Sequence, residues 1–223
     1  MTKKILFCGY RDWALSIFTK LLSSKKDVLL AQNTEELKEK LSSNEIETIL
    51  FIGWSWIIKE DILDNYNCIC LHPSPLPKYR GGCPVQHQIL NNESESAVSL
   101  FLMDSEVDHG PILWQQNFSL KGPLDSIFHR ITKLGTEGLY SILNKYDELG
   151  NFSWGKEQDH SEATYYKRRK PEESEIKLMD LLGCTADEIY NKVRALQDPY
   201  PNAYILCKDQ TKLYITEVHH DRD

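Results

Sequence analysis

The alternation of short apolar runs with amphipathic stretches over residues 4–72 limits the possible folds of this chain more than any other feature. Lys4 to Cys8 reads as a strand, stopped at Gly9. The next segment carries Trp13, Ala14, Ile17, Phe18, Leu21 and Leu22, a stripe at the period of a helix. Val28 to Ala31 is a second strand, and Asn33 with Glu36 three residues on predicts a capped helix through Leu41. Thr48 to Ile52 is a third strand closing at Gly53, and a helical turn spans Lys59 to Leu63. A fourth strand ends in Cys70 and His72. Parallel strands require long crossovers, which helices of this length supply. The pattern therefore predicts an α/β fold built on a parallel, doubly wound sheet.

Beyond His72, Pro84 to Leu90 opens as a helix with the proline in its first turn. Ala97 to Met103 and Gly110 to Phe118 read as two strands around a turn that holds Asp108. Asp125 predicts the cap of a helix to Tyr146, with Ile127, Ile131, Leu134 and Ile142 on one face and Gly138 marking close packing. Residues 1–150 thus form one domain, and residues 151–163, poor in apolar side chains and aperiodic, read as a linker. Residues 164–223 form a small α+β appendage. It has a helix from Thr185 (Thr-x-x-Glu188) to Leu196, a Pro199-Tyr-Pro201 turn, and a hairpin of Ala203–Cys207 with Lys212–Val218. A piece this small does not hold a core alone. Tyr204, Leu206, Leu213, Ile215 and Val218 must be covered by the first domain or by a second copy. A symmetric homodimer, the commonest such solution, is expected.

The chemistry concentrates where the fourth strand ends. Cys68-Ile-Cys-Leu runs into His72, then through Pro-Ser-Pro-Leu-Pro into Lys78, Tyr79, Arg80, Gly81 and Gly82. A titratable ring at the C-terminal end of such a strand stands where α/β ligand sites form. Alone, His72 reads equally as a structural histidine, and Asp108 as a turn residue accepting backbone N–H groups. Together they make an acid–base pair, the aspartate orienting the imidazole and favouring its protonated form. Both segments resemble the signatures of the N10-formyltetrahydrofolate-dependent formyltransferases. His72 and Asp108 fall where that family carries its catalytic histidine and aspartate.

The resemblance implies a Rossmann-like, mostly parallel doubly wound sheet, with N10-formyltetrahydrofolate as formyl donor and no metal. It implies that His72 is the general base as an amine attacks the formyl carbon, with Asp108 as its partner. One position departs from the family pattern. The asparagine that donates a hydrogen bond to the developing oxyanion is replaced by Cys70, a weak donor. Asn67 is no substitute, because its odd offset puts it on the other face of the strand.

By the same resemblance, Gly53, Trp54, Ser55, Trp56 and Ile57, with Leu102, Met103, Asp104 and Val107, surround the pterin ring and read it through backbone groups. The tryptophans read equally as core. Lys78, Tyr79, Arg80, Gly81 and Gly82 suit a nucleotide diphosphate, the two glycines also reading as turn residues at positive φ. Tyr200 stacks on a base or packs into a domain seam. The wording of Gly53-Trp-Ser-Trp-Ile-Ile58, of the His72 loop, of Gln86-x-Gln88 and of Arg194-Ala-Leu-Gln-Asp-Pro-Tyr-Pro-Asn-Ala203 is most similar to the sugar N-formyltransferases. The implied acceptor is the amine of a nucleotide-linked, dTDP-type deoxyamino sugar used for surface polysaccharide. Two alternatives stay open: a methionyl-tRNA formyltransferase, and a weakly active or non-catalytic folate- or nucleotide-binding homologue.

A net charge of −7 with pI about 5.5 argues against a nucleic-acid partner, which selects for a basic face. No run approaches the roughly 18 apolar residues of a membrane span, and the first residues lack a cleavable leader pattern. The 6 cysteines include no Cys-x-x-Cys pair. Together these predict a cytoplasmic protein with reduced thiols and no membrane insertion.

Overall fold

A computed structural model describes residues 4–24 and 27–219; residues 220–223, the end of the expected appendage, lie outside the described residues. The elements run β1 (Lys4–Cys8), α1 (Asp12–Ser23), β2 (Val28–Ala31), α2 (Thr34–Ser43), β3 (Ile46–Ile52), α3 (Glu60–Asn65) and β4 (Asn67–His72). They continue with the two-residue β5 (Arg80–Gly81), α4 (Pro84–Leu90), β6 (Glu95–Leu102), β7 (Ile112–Ser119) and α5 (Leu124–Leu149). The C-terminal part adds β8 (Tyr165–Tyr166), α6 (Leu178–Gly183), α7 (Ala186–Arg194), β9 (Ala203–Leu206) and β10 (Lys212–Ile215).

The main sheet has the order β2-β1-β3-β4-β6-β7, parallel from β2 to β4 and antiparallel at β6 and β7. After β2 the chain crosses back over β1 to place β3 on its other side. Strand order therefore reverses between β1 and β3, and the loops leaving their C-terminal ends diverge to open a cleft. That reversal positions the site.

One face of the sheet packs on α1 and α5 through a cluster that includes Phe7, Ile17, Leu50, Leu71, Leu100, Ile127, Ile131 and Leu139. Each fully buried aliphatic or aromatic side chain there contributes about 1.5–3 kcal/mol relative to exposure. The other face packs Leu6, Ile49 and Phe51 against Leu37 of α2 and, through part-buried Ile62, against α3. Ala14, Ile17 and Leu21 of the predicted α1 stripe are buried, whereas Leu22 is exposed at its edge. The Asn33 cap forms as read, its side chain accepting from Glu36 N at 2.9 Å while Glu36 accepts from Gln32 N at 2.8 Å.

Helix α5 starts differently from the reading. Pro123 occupies the cap position, and Asp125 lies in the first turn, where a carboxylate suits the helix dipole without capping it. A Cβ on Gly138 would lie 2.6 Å from Trp114 and 2.7 Å from Leu100, so the helix meets the sheet there without side-chain clearance.

Residues 151–163 are fastened to the first domain. Phe152 is buried, Lys156 exchanges both backbone hydrogen bonds with Ile112, and Gln158 is buried beside Asp108. Strand β8 then pairs in parallel with β5, so this segment runs along the loop that follows His72. Further on, the Thr185–Glu188 capping box opens α7 as the sequence predicts. The hairpin β9–β10 packs on its own small core of Ile176, Val193, Leu196 and Ala203, joined by Ile205, Ile215 and Val218. Of the residues expected to need cover, Tyr204, Ile215 and Val218 are thus at least partly buried within the chain, and Leu206 and Leu213 remain exposed.

Candidate active site

The cleft at the C-terminal ends of β1, β3 and β4 is a cavity of about 490 Å³. Its floor carries Cys70, His72 and Asp108, the first two on one side of β4 because side chains two apart in a strand share a face. His72 is buried, with its Nε2 2.8 Å from the carbonyl oxygen of Tyr79. A carbonyl only accepts, so Nε2 carries the hydrogen and donates it, leaving Nδ1 as the basic nitrogen. Nδ1 lies 3.4 Å from Asp108 Oδ2, farther than an ordinary hydrogen bond. The same carboxylate oxygen accepts the Gly81 N–H at 2.7 Å. A proton taken up on Nδ1 therefore arrives beside a negative charge held in place by a backbone amide.

His72 is thus enclosed rather than standing at an open strand end. The loop after it folds over the ring because Tyr79 adopts a left-handed backbone (φ 61), which turns its carbonyl toward Nε2. The Tyr79 hydroxyl donates to Glu93 Oε1 at 2.7 Å, and burial is the main cause that pushes its pKa up to about 12. It remains a neutral donor at any working pH.

Cys70 borders the same cavity, and burial, reinforced by the nearby Asp108 charge, raises its thiol well above the usual range. The thiol stays protonated, which suits a weak S–H donor and disfavours a thiolate nucleophile. Asn67 lies outside this cavity and borders a separate depression with Glu47, Asp64 and Leu102. Leu102 thereby departs from the expected pterin pocket.

The apolar side of the cavity contains Gly53, Trp54, Ser55, Trp56, Ile57, Met103, Asp104 and Val107, all anticipated from sequence, with Phe51 and Phe101 behind them. Ile57 and Val107 form an exposed lip. Trp54 Nε1 is buried without a hydrogen-bond partner among the described residues. The Asp104 carboxylate binds His109 Nδ1 at 2.6 Å and the Glu106 N–H at 3.0 Å, so its own turn is braced.

The polar side corrects the sequence reading. Arg80, expected to hold a diphosphate, is completely buried away from the cavity. Its guanidinium donates to Gln158 Oε1 (3.2 and 2.7 Å), the Tyr165 hydroxyl (2.6 Å) and His160 Nδ1 (2.9 Å). Lys78 is exposed and Tyr79 buried, and neither lines the cavity. Gly81 and Gly82 do, for different reasons. Gly81 has φ +94, whereas Gly82 has no positive φ and is required because a Cβ would sit 2.6 Å from the Arg168 backbone.

The cations that do face the cavity are Arg11, after β1, and Arg168, beside β8. Neither was singled out as a site residue from sequence, where Arg168 is one of four consecutive basic residues, 167–170, and no local pattern marks either. Arg168 donates to Ser55 Oγ at 3.0 Å, and Arg11 lies over the rings of Tyr10 and Tyr200. Among the described residues, no carboxylate forms an ion pair with either. Tyr200 both lines the cavity and packs into the seam, stacked 6.2 Å from Phe128, and burial raises its hydroxyl above the usual range. Gln86, buried on the same wall, has its Nε2 without a partner.

A mostly parallel sheet reversing at β1/β3, with an enclosed His–Asp pair on a cavity lined by aromatic side chains, two arginines and the carboxylates of Asp104 and Glu106, has the layout of an α/β enzyme site. Residues 10–142 match the formyl transferase family model and residues 170–223 match the formyl transferase C-terminal domain model. The chain is 34% identical over 192 residues to a methionyl-tRNA formyltransferase of Thermotoga maritima, covering 82% of this chain and 59% of that protein. Its fold is similar to that of a methionyl-tRNA formyltransferase from Clostridium thermocellum (TM-score 0.80, 30% identity, 93% of this chain and 89% of that one). It is also similar to that of a sugar N-formyltransferase from a Shewanella species (TM-score 0.74, 19% identity, 99% of each chain). The chain belongs to the formyl transferase family. It spans somewhat more than half the length of most of the curated relatives it matches.

Proposed function

We propose that this protein transfers a formyl group from N10-formyltetrahydrofolate to the primary amine of a nucleotide-linked deoxyamino sugar, dTDP being the fitting nucleotide. The observation that carries this reading is the pair of cavity arginines, Arg11 and Arg168, with no carboxylate partner among the described residues, on the same cavity as His72 and Asp108. Unpaired guanidinium groups in a cleft favour a phosphate-bearing ligand, for which their fork geometry is suited. The tryptophan-bearing loop of residues 53–57 on the same cavity offers an apolar surface for the pterin.

In this mechanism the amine attacks the formyl carbon and a new N–C bond forms. The nitrogen's proton passes to His72 Nδ1, where Asp108 stabilises the imidazolium. Collapse of the tetrahedral species breaks the bond to folate N10, which takes the proton back. The developing oxyanion lies beside the Cys70 S–H, a weaker donor than an amide.

A second reading, formylation of methionyl-tRNA, is favoured by the relatives at 34% identity. It is opposed by the net charge of −7. Purified protein with N10-formyltetrahydrofolate should formylate dTDP-linked 3- or 4-amino deoxysugars and leave charged initiator tRNA unmodified. Formylation of the tRNA alone overturns the sugar assignment.

The protein is also proposed to be a homodimer. Exposed Leu206, Leu213 and Tyr214 of the hairpin lie in the same C-terminal part of the chain as exposed Leu178, Met179, Leu181 and Leu182 of α6. Apolar side chains in such number are usually covered by a partner. Light scattering should give twice the 25.9 kDa chain mass at micromolar concentration, and a single-chain mass rejects the dimer.

A further inference from the structure

The acid–base pair rests on a buried side-chain node contributed by residues far along the chain. Asp108 stands in an irregular turn between β6 and β7 with a left-handed backbone (φ 52), a conformation that L residues seldom keep without support. Gln158 supplies that support. Its Nε2 donates to the carbonyl of Asp108 at 3.0 Å and to that of Gly110 at 2.7 Å, so one amide fixes the backbone on both sides of His109. Its Oε1 accepts two bonds from Arg80, which fixes the amide orientation and leaves no freedom to flip.

Arg80 is in turn held by the Tyr165 hydroxyl and by His160 Nδ1, and its backbone N–H donates to Thr164 O at 2.8 Å. The residue after Arg80 is Gly81, whose N–H binds the Asp108 carboxylate. Asp108 is therefore gripped twice by one rigid unit. Gly81 holds its carboxylate, Gln158 holds its carbonyl, and Arg80 ties the two grips together. Among the described residues, no carboxylate forms an ion pair with the Arg80 guanidinium. Burying a cation without a counter-charge carries a large desolvation cost. Apolar packing would hold the loop at lower cost, so stability alone does not account for the node.

We infer that Gln158, oriented by Arg80, is a positioning residue that sets the Asp108 carboxylate against His72 for proton transfer. The inference rests on the formyl-transfer reading. A displacement of about 1 Å at such a pair can cost on the order of 10²-fold in rate. Nothing in residues 151–163 as a sequence marks Gln158, because its partners lie 48 to 78 residues away.

The test is Gln158→Glu. This variant keeps the side-chain shape and offers Arg80 a carboxylate, so the fold is retained, but it removes both N–H donors. The expected result is a fall in kcat of about 10–10²-fold, with the Michaelis constant for the formyl donor within about threefold. It is measured at a temperature where circular dichroism shows full folding. Gln158→Met, which removes the donors without adding charge, serves if the glutamate variant does not fold. A crystal structure of the variant should show the Asp108 carboxylate moved by about 1 Å or more from its place beside His72. A folded variant with kcat within about twofold of the parent, or with Asp108 unmoved, overturns the inference. If the parent transfers formyl to no acceptor, the functional reading fails, and the crystal structure still decides the positioning claim.

Discussion

Replacing His72 with glutamine should lower kcat by about 10²–10⁴-fold, the range a positioned general base contributes, with little change in melting temperature. The prediction depends on the ring being enclosed. Its Nε2–H satisfies the Tyr79 carbonyl in a buried hydrogen bond, and among the described residues position 72 supplies that carbonyl's side-chain partner. Glutamine keeps a donor for that carbonyl but has no basic nitrogen. Alanine would also leave the carbonyl unsatisfied, at about 1–3 kcal/mol, and so mixes loss of chemistry with loss of stability. A steady-state assay together with a thermal melt separates the two. Activity of His72→Gln within tenfold of the parent would mean that another group accepts the proton.

The opposite direction is expected at Cys70. Cys70→Asn should raise kcat by about 10–10²-fold and alter the Michaelis constants much less. The amide would donate to an oxygen that carries negative charge only at the transition state, and such interactions appear in turnover. The thiol borders the cavity rather than being sealed in the core, which leaves space for the slightly larger amide. Parallel measurement of kcat and KM for both chains is decisive. An unchanged or lower turnover in the variant would show that some other donor already occupies the oxyanion position.

Much of the fold was legible because its causes are local. Strand and helix follow from the spacing of apolar residues, and the helix starts at Asn33–Glu36 and Thr185–Glu188 follow from side chains reaching the backbone three residues away. Cys70 and His72 share a side because β-strand geometry alternates. Asp125 was misread because a carboxylate near a helix start suits the first turn as well as the cap. In the hairpin, the apolar residues were identified correctly. Which of them face the chain's own core depends on Ile176, Val193 and Leu196, which no pairing rule connects to β9 and β10.

Arg80 and Arg168 mark the boundary between the two kinds of information. In sequence, Arg80 sits in a basic loop just after the strand that ends in His72, and Arg168 sits in a short basic run remote from it. In the folded chain the roles exchange: Arg80 is buried by Gln158, His160 and Tyr165, and Arg168 reaches the cavity at Ser55, 113 residues away. The sequence by itself determined the α/β layering and the shared face of Cys70 and His72, because both depend on short-range geometry, whereas the pairing of His72 with Asp108 was implied by the resemblance of two segments 36 residues apart. Only the tertiary structure decided which cations face the cavity and what holds Asp108 in place. A long charged side chain turns inward or outward according to the partners that distant segments bring to it, and those partners exist only once the chain has closed on itself.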